Sequence, residues 1–126
     1  MDENSQITYS MLNSRLAQRQ AELSKKRLLR PDMRRQRDEA KRFLAMTEGR
    51  IKNLIRAGNP DYTDNHAKDC LNENKEYIEI WARLIIKTAD YDRLNIEIEN
   101  LEQELDTLSE IGTNLSRESK LLGYGT

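Results

Sequence analysis

Apolar residues recur at three- and four-residue spacing along most of the chain, which predicts amphipathic α-helices. The first stripe falls within residues 1–30 and is thin, because its apolar members are only Tyr9, Leu12, Leu16 and Leu23. Arg19 and Lys26 occupy positions where further apolar residues of this stripe would fall. A helix with so little apolar surface needs a partner to be stable.

Pro31 predicts an end or a kink after this first helix, since proline lacks an N–H and disfavours helical geometry at the preceding residue. Asp32 is a suitable N-cap for a second helix over residues 32–57. The apolar face of that helix consists of Ala40, Phe43, Leu44, Thr47, Ile51, Leu54 and Ile55. Residues 57–65 (AGNPDYTDN) predict a loop, with Gly58 at its start and Thr63 or Asp64 capping the next helix.

The longest predicted helix covers residues 66–111 and carries a coiled-coil seam with a heptad spacing. We call its ten positions the inner seam: Tyr77, Ile80, Leu84, Lys87, Tyr91, Leu94, Ile98, Leu101, Leu105 and Leu108. Lys87 is the one polar member, and we interpret it as a register device or a snorkelling side chain. Around residues 77–89 the apolar face is wider, because Ile78, Trp81, Ile85 and Ile86 are also apolar.

A face of this width indicates that several helices meet there. We therefore expect a homo-oligomer whose interface is made by Tyr77, Ile80, Trp81, Leu84, Tyr91, Leu94, Ile98, Leu101, Leu105 and Leu108. Gly112 ends the long helix, and a short helix over residues 113–122 follows. The predicted fold is all-α: one domain, residues 1–126, with a long antiparallel helical hairpin and an additional basic N-terminal helix.

Composition excludes several other classes of protein. Valine is absent and the 126 residues include five glycines and two prolines, which is atypical of a sheet protein. No stretch approaches 18 consecutive apolar residues, so we expect no membrane span. The polar start MDENSQITYS does not resemble a signal peptide, and the single Cys70 fits a reducing compartment, so we expect a cytoplasmic protein.

The net charge of −1 conceals two halves of opposite sign. Residues 1–58 carry 14 Lys and Arg against 7 Asp and Glu, whereas residues 59–126 carry 7 against 15. The basic maximum lies in residues 25–37, where the cations are Lys25, Lys26, Arg27, Arg30, Arg34, Arg35 and Arg37. Such a split indicates either a polyanionic partner or neutralisation of one half by the other, within a chain or between subunits.

Catalytic and metal-binding motifs are weak in this sequence. His66 is the only histidine, and together with Cys70 it supplies two soft ligands, which are too few for a structural zinc site in one chain. The five glycines do not form a phosphate-binding loop. The acidic residues lie at predicted surface positions, and no pair of them stands out. We expect no enzymatic activity, no bound metal and no cofactor.

The basic segment is the functional signal of the sequence. Seven cations within thirteen residues can neutralise several phosphates of a nucleic acid, with double-stranded DNA as the expected ligand. The segment contains no aromatic residue for base stacking and no short helix-turn-helix, so we expect contacts to the phosphate backbone. The alternative is a coiled-coil structural, adaptor or inhibitor protein whose basic segment meets an acidic surface of another protein.

Three features of residues 62–125 resemble the small terminase subunits of tailed bacteriophages. They are Thr63 and Asp64 at a helix start, the segment YIEIWARL at 77–84 leading into a long helix, and the ending SRESKLLGYG at 116–125. The resemblance implies a ring-forming, DNA-binding packaging factor without nuclease or ATPase activity. Small helical recombination mediators of phages are similar in size and style, which leaves a recombination accessory factor as a second possibility.

Overall fold

The computed structural model describes residues 9–59 and 61–122, and three α-helices account for almost all of them. They are α1 (Tyr9–Gly58), α2 (Asp64–Glu73) and α3 (Lys75–Leu121). No strand occurs among the described residues. The expected all-α class, with a long helix pair, is therefore confirmed.

The chain divides into two compact units, and its organisation as a single domain stays a prediction. The terminal unit contains the described residues 9–29 and 94–122, and the middle unit contains 30–59 and 61–93. Both long helices therefore contribute a segment to each unit.

In the terminal unit the two helix segments run antiparallel. Arg19 contacts Glu104 and Lys26 contacts Glu97, so higher residue numbers on α1 pair with lower residue numbers on α3. The buried side chains between the segments are Leu12, Leu23, Leu94, Ile98, Leu101 and Leu108. The thin stripe predicted for the first helix is thus covered by the far end of α3.

The middle unit joins α1, α2 and α3 around a small apolar core. Ile51 of α1, Leu71 of α2 and Tyr77 of α3 are buried together, and Leu44 and Ile55 pack against them. Three helices therefore meet at the start of the wide apolar face, and here they all belong to one chain.

The loop before α2 agrees with its sequence signals. Helix α1 ends at Gly58, and α2 begins at Asp64 after the N-cap Thr63, whose hydroxyl accepts a hydrogen bond from the amide of His66. Arg56 stacks on the ring of Tyr62 at 4.8 Å, which fixes the two ends of the loop to each other. Pro60, part of the predicted turn, lies outside the described residues.

The predicted end of the helix at Pro31 is wrong, because α1 runs from Tyr9 to Gly58 with Pro31 inside it. Proline at this position removes the amide that would bond to the carbonyl of Arg27. Pro31 and Arg27 are both exposed, so water can satisfy that carbonyl. Asp32 is not an N-cap either; its carboxylate accepts hydrogen bonds from Arg35 and Gln36 one turn later.

Two other helix boundaries also differ from the prediction. The long helix expected from residue 66 is interrupted at Asn74, which caps α2 through its amide and caps α3 by accepting a hydrogen bond from the amide of Tyr77. At the other end, α3 continues through Gly112 to Leu121, so no separate helix covers 113–122. A Cβ at position 112 would lie 3.2 Å from Cδ2 of Leu12, so glycine provides space for that leucine.

Candidate functional site

Two cations in the first half of the basic segment, Lys26 and Arg27, form ion pairs within the terminal unit. Nζ of Lys26 lies 2.9 Å from Glu97, and Nη2 of Arg27 lies 3.6 Å from Glu102. Arg19, which interrupts the apolar stripe together with Lys26, reaches Glu104 at 2.9 Å. The polar interruptions of α1 therefore face the acids that flank the inner seam of α3.

These ion pairs favour the charged forms of the cations. The hydrogen bond to Glu97 raises the pKa of Lys26, with the nearby negative charges of Glu97 and Glu22 acting in the same direction. Hydrogen bonds and charges from Glu22 and Glu104 raise the pKa of Arg19. In both cases partial burial opposes the shift without reversing it. Cations held in this way are less available to an external phosphate.

The second half of the segment belongs to the middle unit and has a different environment. Arg35 forms local ion pairs on its own helix, with Asp32 at 2.6 Å and Glu39 at 2.8 Å. Hydrogen bonds from Arg35 and then Gln36 lower the pKa of Asp32. Nε of Arg30 is buried and has no hydrogen-bond partner among the described residues. Two acids of α1 therefore offset the charge of Arg35, and burial limits access to Nε of Arg30.

Tyr91 of α3 contacts two of the remaining arginines, Arg34 and Arg37. Nε of Arg34 donates a hydrogen bond of 3.1 Å to the hydroxyl of Tyr91. The guanidinium of Arg37 lies 4.5 Å from the centre of the same ring, and that of Arg34 lies 5.8 Å from it. These cation–π distances hold the two positive groups side by side while leaving other guanidinium nitrogens of each free to donate.

We call Arg34, Arg37 and Lys41 the cation row. Their spacing of three and four residues places them on one face of α1. Arg37 has a local contact with Asp38 at 3.0 Å, whereas Arg34 and Lys41 form no ion pair with any described residue. No carboxylate of α3 forms an ion pair with any of the three within the described part of the chain. The row therefore presents cations that no acid of α3 neutralises and that can contact an anion.

The charge balance of the middle unit supports this distinction. Residues 30–58 carry nine Lys and Arg against four Asp and Glu. Among the described contacts of this unit, a single ion pair joins α1 to α3, that between Arg50 and Glu76. In the terminal unit three such pairs join the two helices. The excess positive charge on α1 is thus larger in the middle unit than in the terminal unit.

The cation row could be found from sequence only in part. Arg34 and Arg37 belong to the predicted binding residues, but Lys41 lies beyond the charge maximum. Tyr91 belongs to the predicted inner seam of α3, and the basic segment itself contains no aromatic residue. The antiparallel register places Tyr91 opposite Arg34, and that register depends on contacts distant in sequence. Lys25, the remaining predicted cation, is exposed and forms no ion pair among the described residues.

Most of the predicted oligomer interface lies inside the single chain. Tyr77, Ile80 and the later inner-seam residues are buried or half-buried by the chain itself, while Trp81 remains 46% exposed. Nζ of Lys87 donates a 2.9 Å hydrogen bond to Oε1 of Gln36, so this seam lysine bridges α3 to α1. Participation of these residues in an oligomer stays a prediction.

His66 and Cys70 lie together but have no further soft ligand. The sulfur of Cys70 is 3.7 Å from Nε2 of His66, one turn apart on α2. Within residues 9–59 and 61–122, no group of three or more His, Cys, Asp and Glu side chains is placed to hold a metal ion. No described helix is long and apolar enough to cross a membrane.

Comparison of the chain with protein-family models, with curated proteins and with solved structures gives no match. The functional assignment consequently depends on the geometry above.

Proposed function

We propose that this chain is a non-enzymatic helical protein that binds nucleic acid through phosphate contacts from the cation row. The observation that carries the proposal is the arrangement at Tyr91, which holds Arg34 and Arg37 together on a helix face that no acid of α3 neutralises. Adjacent guanidinium groups match the spacing and charge of a phosphate backbone. Contacts of this kind supply affinity and position, with little dependence on base sequence.

This proposal narrows the site suggested by the sequence. Lys26 and Arg27 are paired with Glu97 and Glu102, so they contribute little to binding. Arg35 is shared between two local acids. Arg34, Arg37 and Lys41 remain as the residues that contact phosphates, with double-stranded DNA as the ligand on which the proposal is tested.

Reversing the charge of the row tests this assignment. A variant carrying Arg34→Glu, Arg37→Glu and Lys41→Glu should lose binding to a labelled DNA duplex at low salt, because repulsion replaces three favourable contacts. The matched control reverses three exposed cations elsewhere: Lys68→Glu, Arg117→Glu and Lys120→Glu. It has the same net charge and should retain most of the affinity. Equal binding by both variants would reject the cation row as the site.

A second candidate function is favoured by the exposed apolar residues of the middle unit. Phe43 and Met46 on α1, and Ile78, Trp81 and Ile85 on α3, are each exposed by 46% or more. Such surface is typical of protein-binding sites. Under this alternative the chain is a structural, adaptor or inhibitor protein. A pull-down from lysate with and without nuclease separates the two, since partners held through nucleic acid are lost after nuclease treatment.

The proposed setting is a phage DNA-packaging or recombination accessory factor acting in the host cytoplasm. It is supported by the resemblance over residues 62–125 to small terminase subunits, and by the single Cys70, which fits a reducing compartment. Thr63 caps α2, and segment 77–84 lies in α3. Residues 123–125 of the ending lie outside the described part of the chain.

A further inference from the structure

Helix α3 carries a second heptad seam on its exposed side. We call it the outer seam, and its members are Lys75, Ile78, Ala82, Ile85, Ala89 and Asp92. The spacing alternates between three and four residues throughout, as in the a and d positions of a coiled coil. All six side chains are exposed, with Ile78 at 49% and Ile85 at 56%. Within residues 9–59 and 61–122, no other helix covers this seam.

The order of residues in the outer seam is self-complementary when read in the opposite direction. In an antiparallel coiled coil, an a position faces a d position of the partner helix. Aligning α3 with a reversed copy places Ile78 against Ala89 and Ala82 against Ile85, so each isoleucine meets an alanine. The same register places Lys75 against Asp92 at both ends.

The charges at the ends of the outer seam are available for such a contact. Neither Lys75 nor Asp92 forms an ion pair with any described residue. A two-fold axis between Arg83 and Leu84 would create two Lys75–Asp92 pairs, one at each end. A parallel alignment would instead bring Lys75 against Lys75 and Asp92 against Asp92, which is unfavourable. The charge pattern thus selects an antiparallel second copy.

We infer that α3 forms a two-fold antiparallel homodimer through the outer seam. The contact extends along residues 75–92, about 26 Å of helix. A contact of this length is small beside a standard protein interface, so the dimer should dissociate on dilution. The inference does not depend on the proposed function, because the outer seam and the cation row have no residue in common.

Charge reversal at the seam ends provides the test, with mass measured by sedimentation over a series of concentrations. The wild-type mass should increase from 14.8 kDa towards twice that value and stop there. Lys75→Asp alone, or Asp92→Lys alone, should weaken dimerisation about tenfold, because two like-charge contacts replace two ion pairs. The double variant Lys75→Asp with Asp92→Lys should restore the wild-type association.

The control variant is Lys68→Asp, an exposed lysine of α2 outside the outer seam, and it should dimerise like the wild type. All of these positions are exposed, so circular dichroism should show unchanged helix content. A wild-type chain that stays monomeric at every concentration would overturn the inference and leave the seam to a different protein. A larger ring, or a double variant that fails to recover, would also overturn it. DNA binding by the cation row can succeed or fail independently of each outcome.

Discussion

Tyr77 shows how one residue combines packing with a response to pH. Its ring is buried with Ile51 and Leu71 and lies edge-on to Trp81, with ring centres 5.7 Å apart. Burial raises the pKa of its hydroxyl, since the phenolate form would be poorly solvated there. The native state therefore keeps this proton at a pH where the unfolded chain has released it.

The sign of the pH effect follows from that difference. As pH rises above about 10, the unfolded state binds fewer protons at Tyr77 than the native state, so the free energy of unfolding falls. We expect the wild type to lose stability relative to Tyr77→Phe as the pH rises above about 10, because burial raises the pKa of Tyr77 in the native state. Urea unfolding of both proteins at each pH measures this. A stability difference that does not change with pH would contradict the role of burial at Tyr77.

At the scale of the element, the sequence predicts the inner seam and the loop well, whereas Phe43 and Leu54 of the predicted apolar face on α1 are exposed. The inner seam is buried where expected, Thr63 caps α2, and Gly58 ends α1. These features depend on local spacing and local capping chemistry. The predicted helix bounds near Pro31, Asn74 and Gly112 are wrong for a different reason. At these positions tertiary packing, and not the local sequence, determines whether the helix continues. The space that Gly112 leaves for Leu12, for example, depends on a contact 100 residues away.

Pro31 gives the clearest prediction at this scale. Because α1 is continuous, Pro31→Ala should restore the hydrogen bond to the carbonyl of Arg27 and raise the free energy of unfolding by up to about 3 kcal/mol. Urea denaturation followed by circular dichroism provides the measurement, with Gln20→Ala as a control at an exposed position of the same helix. An unchanged stability would mean that α1 does break at Pro31.

At the scale of the whole molecule, the antiparallel pairing of α1 with α3 determines which charges of the two halves neutralise each other. Inside the terminal unit, cations of the basic half form ion pairs with acids of the acidic half: Arg19, Lys26 and Arg27 each pair with a glutamate of α3. The middle unit has 14 Lys and Arg against 12 Asp and Glu, and nine of these 14 cations lie in residues 30–58 of α1. From the sequence alone, the charge split predicts either neutralisation of the basic half by the acidic half or a polyanionic partner. The register between α1 and α3 determines which cations are neutralised and which can contact such a partner.

The most direct test of this account is the salt dependence of binding to a labelled DNA duplex, at protein concentrations below the onset of self-association. Each neutralised phosphate adds about −0.9 to the slope of log K against log salt concentration. Phosphate contacts from the three residues of the cation row predict a slope of about −2 to −3 per bound chain. A slope near −6, expected if all seven cations of residues 25–37 bound phosphates, would contradict the ion pairing in the terminal unit. An absence of binding at low salt would contradict the cation row as a phosphate site.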